Sequence, residues 1–141
     1  MKAVFIDTNV IIDLLLDRKP FSDDSAMIFT LSKNKQIELF ISAISVNNVH
    51  YILKKDFGDM ETRKILIGLL KYLNVIAVEE EILKKALVST IKDFEDAIQI
   101  YSADMVSSII YIISRNTKDF KNSIKKVVTP GDFLKTEGFL D

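Results

Sequence analysis

The arrangement of short apolar segments is the feature of this sequence that most constrains its fold. Several segments rich in β-branched and aromatic residues are typical of buried strands, and stretches with the apolar spacing of helices separate them. The predicted strands cover residues 4–6, 37–41, 74–78, 109–113 and 126–128. The predicted helices begin at Thr8 or Asn9, cover residues 22–33, 43–56, 60–73, 79–90 and 93–105, and end with one capped by Thr129.

Strands that alternate with pairs of helices favour a parallel sheet covered by helices on both faces. Residues 109–113 are five apolar residues in succession, a pattern typical of a strand buried on both faces. The 141 residues contain no linker, no repeat and no low-complexity tract. We therefore expect a single α/β domain over residues 1–141.

Composition excludes several classes of protein. The chain has 19 Lys+Arg and 20 Asp+Glu, a net charge of −1, which excludes a strongly basic nucleic-acid coat protein. It has no cysteine, which excludes disulfides, Fe–S clusters and thiol nucleophiles and suits a reducing cytoplasm. No apolar run approaches the ~18 residues of a membrane helix, and neither a P-loop nor a dinucleotide-binding glycine motif is present.

Polar side chains lie where several predicted strands end. In open parallel sheets, sites form at the carboxyl ends of strands, near the point where the strand order reverses. Three acids occupy such positions: Asp7 after the first strand, Asp119 after the fourth, and Asp96 in the helix before the fourth. The polar residues that we expect beside them are Thr8, Asn9, Ser45, Asn48, Ser114 and Asn116.

Three carboxylates at one edge of a sheet repel one another unless a cation joins them. Mg²⁺ and Mn²⁺ prefer oxygen ligands, and such a site activates water and holds phosphate oxygens. Each acid also has an ordinary alternative. Asp7 could cap the helix that follows it, Asp119 could lie in a turn, and the spacing of Asp93 and Asp96 is typical of a capping box, which favours a capping role for Asp93.

Four blocks, in order along the chain, resemble the PIN-domain family. The first is residues 4–10, which end a strand in Asp7-Thr8-Asn9, and the others are residues 41–48, 93–97 and 112–120. Residues 127–134 also fit, so the resemblance runs from about residue 3 to 134. It implies a three-layer α/β/α sandwich around a mostly parallel five-stranded sheet with the strand order 3-2-1-4-5.

The resemblance also implies an activity. PIN domains of this kind are Mg²⁺- or Mn²⁺-dependent endoribonucleases, and many small members are VapC-like toxins of toxin–antitoxin pairs, often dimeric. By position, Asp7, Asp96 and Asp119 would be the catalytic metal ligands, with Ser114 and Asn116 beside the last. The expected substrate is single-stranded or structured RNA, and the expected protein partners are an antitoxin and a second copy of the chain.

One position departs from the family pattern. The second block normally has Ser/Thr-x-x-Glu, and this chain has Ser45-x-x-Asn48. We therefore expect roughly three negative charges and weak binding of a single metal. Glu95 could compensate for the missing acid, although its neighbour Asp96 is expected to face the opposite way on the helix. The alternative is a catalytically weakened module that binds RNA or protein. A phosphotransferase with Asp7 as nucleophile is disfavoured, because position 9 is Asn rather than Asp.

Overall fold

Residues 1–140 are described by a computed structural model of the chain, and they form five strands and seven α-helices. The strands are β1 (Lys2–Ile6), β2 (Ile37–Ser42), β3 (Asn74–Ile76), β4 (Ile109–Ile113) and β5 (Lys126–Val128). The helices are α1 (Thr8–Leu15), α2 (Ser22–Lys33), α3 (Ala43–Phe57), α4 (Asp59–Leu69), α5 (Glu80–Val88), α6 (Phe94–Asp104) and α7 (Pro130–Thr136). Two 3-10 turns cover Leu70–Tyr72 and Thr117–Phe120.

The five strands form one sheet in the order β3-β2-β1-β4-β5, and every neighbouring pair is parallel. The predicted fold class and strand order are confirmed. Along the chain, β2 and β3 are added outward on one side of β1, and β4 and β5 are then added on its other side. The strand order therefore reverses between β1 and β4, which is where open parallel sheets form their sites.

Helices cover both faces of the sheet, as the alternation along β1 requires. Val4 and Ile6 face one core, which α1, α2, α3 and α7 complete. Phe5 faces the opposite core, together with Ile100 and Ala103 of α6. Each fully buried Ile or Phe side chain stabilises the fold by about 1.5–3 kcal/mol, so this three-layer packing holds the carboxyl ends of the strands in fixed positions.

Several boundaries differ from the sequence prediction. The cap of α1 is Asp7 rather than Thr8 or Asn9, since the Asp7 side chain accepts a hydrogen bond from the backbone N–H of Asn9. The helix predicted over 60–73 ends at Leu69 and continues as a 3-10 turn, and β3 ends at Ile76. Predicted caps are confirmed at Asp93 and Thr129, whose side chains each accept from the backbone N–H three residues on.

The fourth strand is not buried along its whole length. Ile110 is 44% exposed, while the other four residues of β4 are buried. The pairing between β1 and β4 shifts here, because Ala3 pairs with Ile109 and Val4 with Tyr111. Such a bulge turns one side chain away from the core. No helix within residues 1–140 is both long and apolar enough to cross a membrane.

Candidate active site

The candidate site lies at the carboxyl ends of β1 and β4. The two strands end side by side, with Ile6 paired to Ile113, and the backbone N–H of Asp7 donates to the Ile113 carbonyl over 3.0 Å. Asp7 and Ser114 therefore emerge next to each other at the point where the strand order reverses. The first of the predicted acids is thus placed by strand pairing itself.

Asp7 is a buried carboxylate held by neutral donors. It is 3% exposed, and Ser114 Oγ donates to Asp7 Oδ2 over 2.9 Å. Gln99 Nε2 and the backbone N–H of Asn9 donate to Oδ1 over 3.3 and 3.4 Å. Burial raises the Asp7 pKa above its usual value in spite of these bonds, and the charge of Asp119 raises it further. The carboxylate is fixed in position, and no cationic side chain within residues 1–140 is bonded to it.

A small polar network orients the turn after β1. Thr8 Oγ1 lies 2.7 Å from Ser45 Oγ, which joins the start of α1 to α3. The backbone N–H of Thr8 donates to Gln99 Oε1 over 3.2 Å, so Gln99 holds both Asp7 and Thr8. Sequence reasoning missed Gln99. It lies three residues after Asp96, on the same face of α6, and that spacing was the signal.

Asp96 lies in the first turn of α6, half-buried, with its backbone N–H bonded to Asp93 Oδ1 over 2.9 Å. Asp93 therefore caps the helix, as predicted, and the Asp96 carboxylate is not used for capping. Burial raises the pKa of Asp96 to about 7, and the charges of Asp93, Asp7, Asp119 and Glu95 add to the shift. Asp96 is thus surrounded by acids from three parts of the chain.

Asp119 is exposed and lies in the 3-10 turn after β4. Its backbone N–H donates to the Asn116 carbonyl over 3.0 Å, so the turn that was the alternative interpretation does form. The carboxylate nevertheless lines the same cleft as Asp96, and its charge raises the pKa of both Asp7 and Asp96. The exposed Asn116 contributes through its backbone, whose N–H donates to Ser114 Oγ over 3.0 Å. It thereby fixes the hydroxyl that holds Asp7.

Glu95 also faces this edge of the sheet, contrary to expectation. Asn48 Nδ2 of α3 donates to Glu95 Oε1 over 2.6 Å. Burial raises the Glu95 pKa, and the charge of Asp7 raises it further, which brings Glu95 into the same group of acids. Consecutive side chains on a helix diverge by only about 100°, so Glu95 and Asp96 both reach the site. Glu95 is therefore a further carboxylate at this edge of the sheet, beside the three acids expected there.

A cleft of about 470 Å³ opens beside these acids. Asp93, Asp96 and Asp119 line it together with three lysines, Lys92, Lys118 and Lys121. The sequence analysis did not single out these lysines, although each lies within two residues of an acid or a turn that it did consider. Ammonium groups at the mouth of an acidic cleft attract phosphate, so the cleft combines acids inside with cations at its rim.

The donors available at this edge suit a hard divalent cation in kind and in charge, since they are carboxylate, amide and hydroxyl oxygens. In residues 1–140, however, no three acidic or histidine side chains are grouped closely enough to hold a metal ion as they stand. Asp7 is fixed, whereas Asp96 is half-buried and Asp119 is exposed. A set of ligands built on these acids would therefore require movement of their side chains.

Solved structures similar to this chain come from toxin–antitoxin systems. One is a toxin–antitoxin complex from Klebsiella pneumoniae, 28% identical, with a TM-score of 0.66 and coverage of 90% of this chain and 97% of the other. VapBC2 from Rickettsia felis, bound to a DNA fragment from its promoter, is 15% identical with a TM-score of 0.63, covering 90% and 98% of the two chains. DNA-bound VapBC from Salmonella typhimurium is 13% identical with a TM-score of 0.64, covering 92% and 99%.

At the level of sequence, no curated protein matches the chain significantly. A family profile described as PIN domain matches residues 3–118. That range contains Asp7, Asn48, Glu95 and Asp96 and reaches the residue before Asp119. PIN domains are in general nucleases, which agrees with an acidic cleft at the strand ends. By its profile, its strand order and its site, this chain belongs to the PIN-domain family.

Proposed function

We propose that this protein is a Mg²⁺- or Mn²⁺-dependent endoribonuclease that cleaves single-stranded or structured RNA. The observation that carries the proposal is the group of acids at the ends of β1 and β4. Burial raises the pKa of Asp7, Glu95 and Asp96 there, and neighbouring carboxylates raise each of them further. Within residues 1–140 no lysine or arginine is bonded to these three acids or to Asp119. A group of uncompensated carboxylates is unfavourable unless a cation occupies it.

The position of each residue in the site determines its proposed role. Asp7, Asp96 and Asp119 are the proposed metal ligands, with Asp7 as the fixed one and the other two as adjustable ones. Ser114 and Gln99 hold Asp7 in its orientation. A divalent cation supplies an activated water and neutralises charge on the phosphate. Lys92, Lys118 and Lys121 at the rim of the cleft bind the phosphate backbone of the RNA on either side.

We further propose that the protein is the toxin of a toxin–antitoxin pair, acting in the cytoplasm as a single domain over residues 1–141. The similarity to the Klebsiella toxin–antitoxin complex over nearly the whole of both chains supports this assignment. The partners would be an antitoxin protein and a second copy of the chain. A short DNA-binding protein encoded next to this gene, which co-purifies with it and blocks RNA cleavage, is the expected finding.

The nuclease proposal is tested with the variant Asp7→Asn. Purified protein is incubated with an unstructured RNA and with a stem-loop RNA in Mn²⁺ or in EDTA, and the fragments are sequenced. We expect cleavage by the unmodified protein in Mn²⁺ only, and none by Asp7→Asn. Asp56→Asn, the same change at an exposed position of α3, is the matched control and should cleave normally. Equal rates for Asp7→Asn and the unmodified protein would refute the mechanism.

A second function, an RNA- or protein-binding module without cleavage, is favoured by Asn48. This residue stands where the family pattern has an acid, and an amide supplies no charge for a metal. The variant Asn48→Glu separates the two functions. If the unmodified protein binds RNA without cutting it and only Asn48→Glu cleaves, the binding module is correct.

A further inference from the structure

The contact between α3 and α6 carries an inference about the acid that is missing at position 48. Asn48 lies one helical turn after Ser45, which contacts Thr8, and so projects toward the site from α3. Its amide does not point to solvent: Nδ2 donates to Glu95 Oε1 over 2.6 Å. Hydrogen bonds to a carboxylate are the stronger kind and hold both partners in place. The structure thus pairs the unusual amide directly with a carboxylate.

We propose that Glu95 supplies from α6 the fourth carboxylate that the family pattern places on α3, and that Asn48 is the residue that positions it. The inference rests on the proposed function, since it names a further ligand of the same metal. Compared with the family pattern, the carboxylate lies on α6 instead of α3, and the number of negative charges in the site is the same. Asn48 then does not indicate lost activity, because it positions the carboxylate that replaces the missing acid.

The surroundings of Glu95 support a ligand rather than a surface charge. Glu95 is half-buried, and no lysine or arginine bonds to it within the described part of the chain. Asn48 occupies Oε1, which leaves Oε2 as an oxygen for a cation. A bond whose only purpose was to join two helices would not require a formal charge in this position, because two amides would serve equally well.

The experiment measures Mn²⁺ binding rather than catalysis. Mn²⁺ is titrated into the protein and the free ion is followed by electron paramagnetic resonance. We compare the unmodified chain with Glu95→Gln, Asn48→Ala and the double variant Asn48→Glu/Glu95→Gln. Glu61→Gln is the matched control, because it removes the same charge from an exposed position of α4. Urea unfolding of each variant shows whether it is folded.

Glu95→Gln retains an oxygen that accepts from Asn48 but loses the charge, so it should stay folded and bind Mn²⁺ at least about tenfold more weakly. The double variant returns the charge to α3 and should recover affinity to within about threefold of the unmodified protein. Asn48→Ala keeps the charge and frees the side chain, so a smaller loss is expected. Glu61→Gln should not change the affinity.

Two results would overturn the inference. Glu95→Gln could bind Mn²⁺ as tightly as the unmodified protein, or the double variant could bind as weakly as Glu95→Gln. Either result leaves the nuclease proposal standing, because that proposal depends on Asp7 and on RNA cleavage. Failure of the unmodified protein to bind Mn²⁺ at millimolar concentration would overturn both.

Discussion

Two buried carboxylates six residues apart, Asp7 and Asp13, are treated in opposite ways by the fold. Asp13 is fully buried in α1, and Arg115 holds it through both Nε and Nη2, the second over 3.0 Å. Asp7 is 3% exposed and receives only neutral donors. The partners are consecutive residues after β4, since Ser114 bonds to Asp7 and Arg115 bonds to Asp13.

The difference separates a structural charge at Asp13 from a charge at Asp7 for which we propose a function. A buried carboxylate paired with arginine is complete, and it ties α1 to the end of β4. A buried carboxylate without a cation is destabilising as it stands, and its pKa is raised as a result. Such a group is expected where a bound cation neutralises it. Removal of the Asp7 charge should therefore raise stability and abolish activity, whereas removal of the Asp13 charge should lower stability. The following measurements test that contrast, from the largest expected effect to the smallest.

Asp13→Asn should lower the free energy of unfolding by about 2–3 kcal/mol, because it leaves the Arg115 guanidinium without its counter-charge in a partly buried place. Urea unfolding followed by circular dichroism measures this. Asp17→Asn, the same change four residues on, removes only an exposed ion pair with Lys19 and should change the free energy of unfolding by less than about 1 kcal/mol. If Asp13→Asn were as stable as the unmodified protein, the Asp13 charge would not have the structural role assigned to it.

Asp7→Asn should instead raise the free energy of unfolding by about 1–2 kcal/mol at pH 7 without divalent cations, since it removes an uncompensated buried charge. The folded-state pKa of Asp7 lies above the unfolded value, so its penalty exists only where the unfolded chain is ionised. The gain should therefore vanish below about pH 4. Lower stability of Asp7→Asn than of the unmodified protein at pH 7 would contradict this reasoning.

Asp96→Asn should change how stability depends on pH. The pKa of Asp96 is raised from 3.8 to about 7, so ionisation of this group favours unfolding. Its contribution to stability is fully present below pH 3.8 and is lost as the pH rises to 7. After allowance for solvent screening of a half-buried group, the loss is about 1 kcal/mol. The variant should show a flatter curve of Tm against pH between 4 and 7, and an unchanged curve would refute the assignment.

Mn²⁺ should reduce the destabilising effect of the Asp7 charge and so make Asp7 more like Asp13, whose charge Arg115 already neutralises. Binding to the folded state stabilises it by RT ln(1 + [L]/Kd), which is below about 1.4 kcal/mol when the ion is present at less than tenfold its Kd. We expect a small rise in the Tm of the unmodified protein with millimolar Mn²⁺, and none for Asp7→Asn. The rise should persist in Asp17→Asn, and its presence in Asp7→Asn would place the ion elsewhere.

Periodicity and turn chemistry predicted most of the architecture, because those signals are local. The bounds of α2 and β4 were predicted to the residue, and the caps at Asp93 and Thr129 follow from their own side chains. The three site acids were found from their positions near predicted strand ends, whereas the strand order and the role of these acids as metal ligands came from the family resemblance. The cap of α1 was misplaced because one carboxylate, Asp7, serves as cap and as site residue at once.

The site residues that sequence reasoning missed depend on contacts between distant parts of the chain. Glu95 was not counted among the site acids because it and Asp96 were expected to face opposite ways on the helix. At the start of α6 the two side chains are not opposed. Gln99 acts on Asp7 from 92 residues away, and Arg115 reaches Asp13 across 102 residues. Local spacing places Gln99 on the same face of α6 as Asp96, but it does not identify such pairs between distant parts of the chain. They follow only from the packing of α6 and the end of β4 against β1.

The position of β1 at the centre of the sheet has a consequence for synthesis of the chain. Its neighbour β4 is made about a hundred residues later, and the candidate site draws on residues from Asp7 to Asp119. A chain still on the ribosome has the first carboxylate and lacks the strand that aligns it, so non-local pairing must wait for the rest. The proposed nuclease would therefore stay inactive toward the messenger RNA that encodes it until β4 and the turn that carries Asp119 have been made.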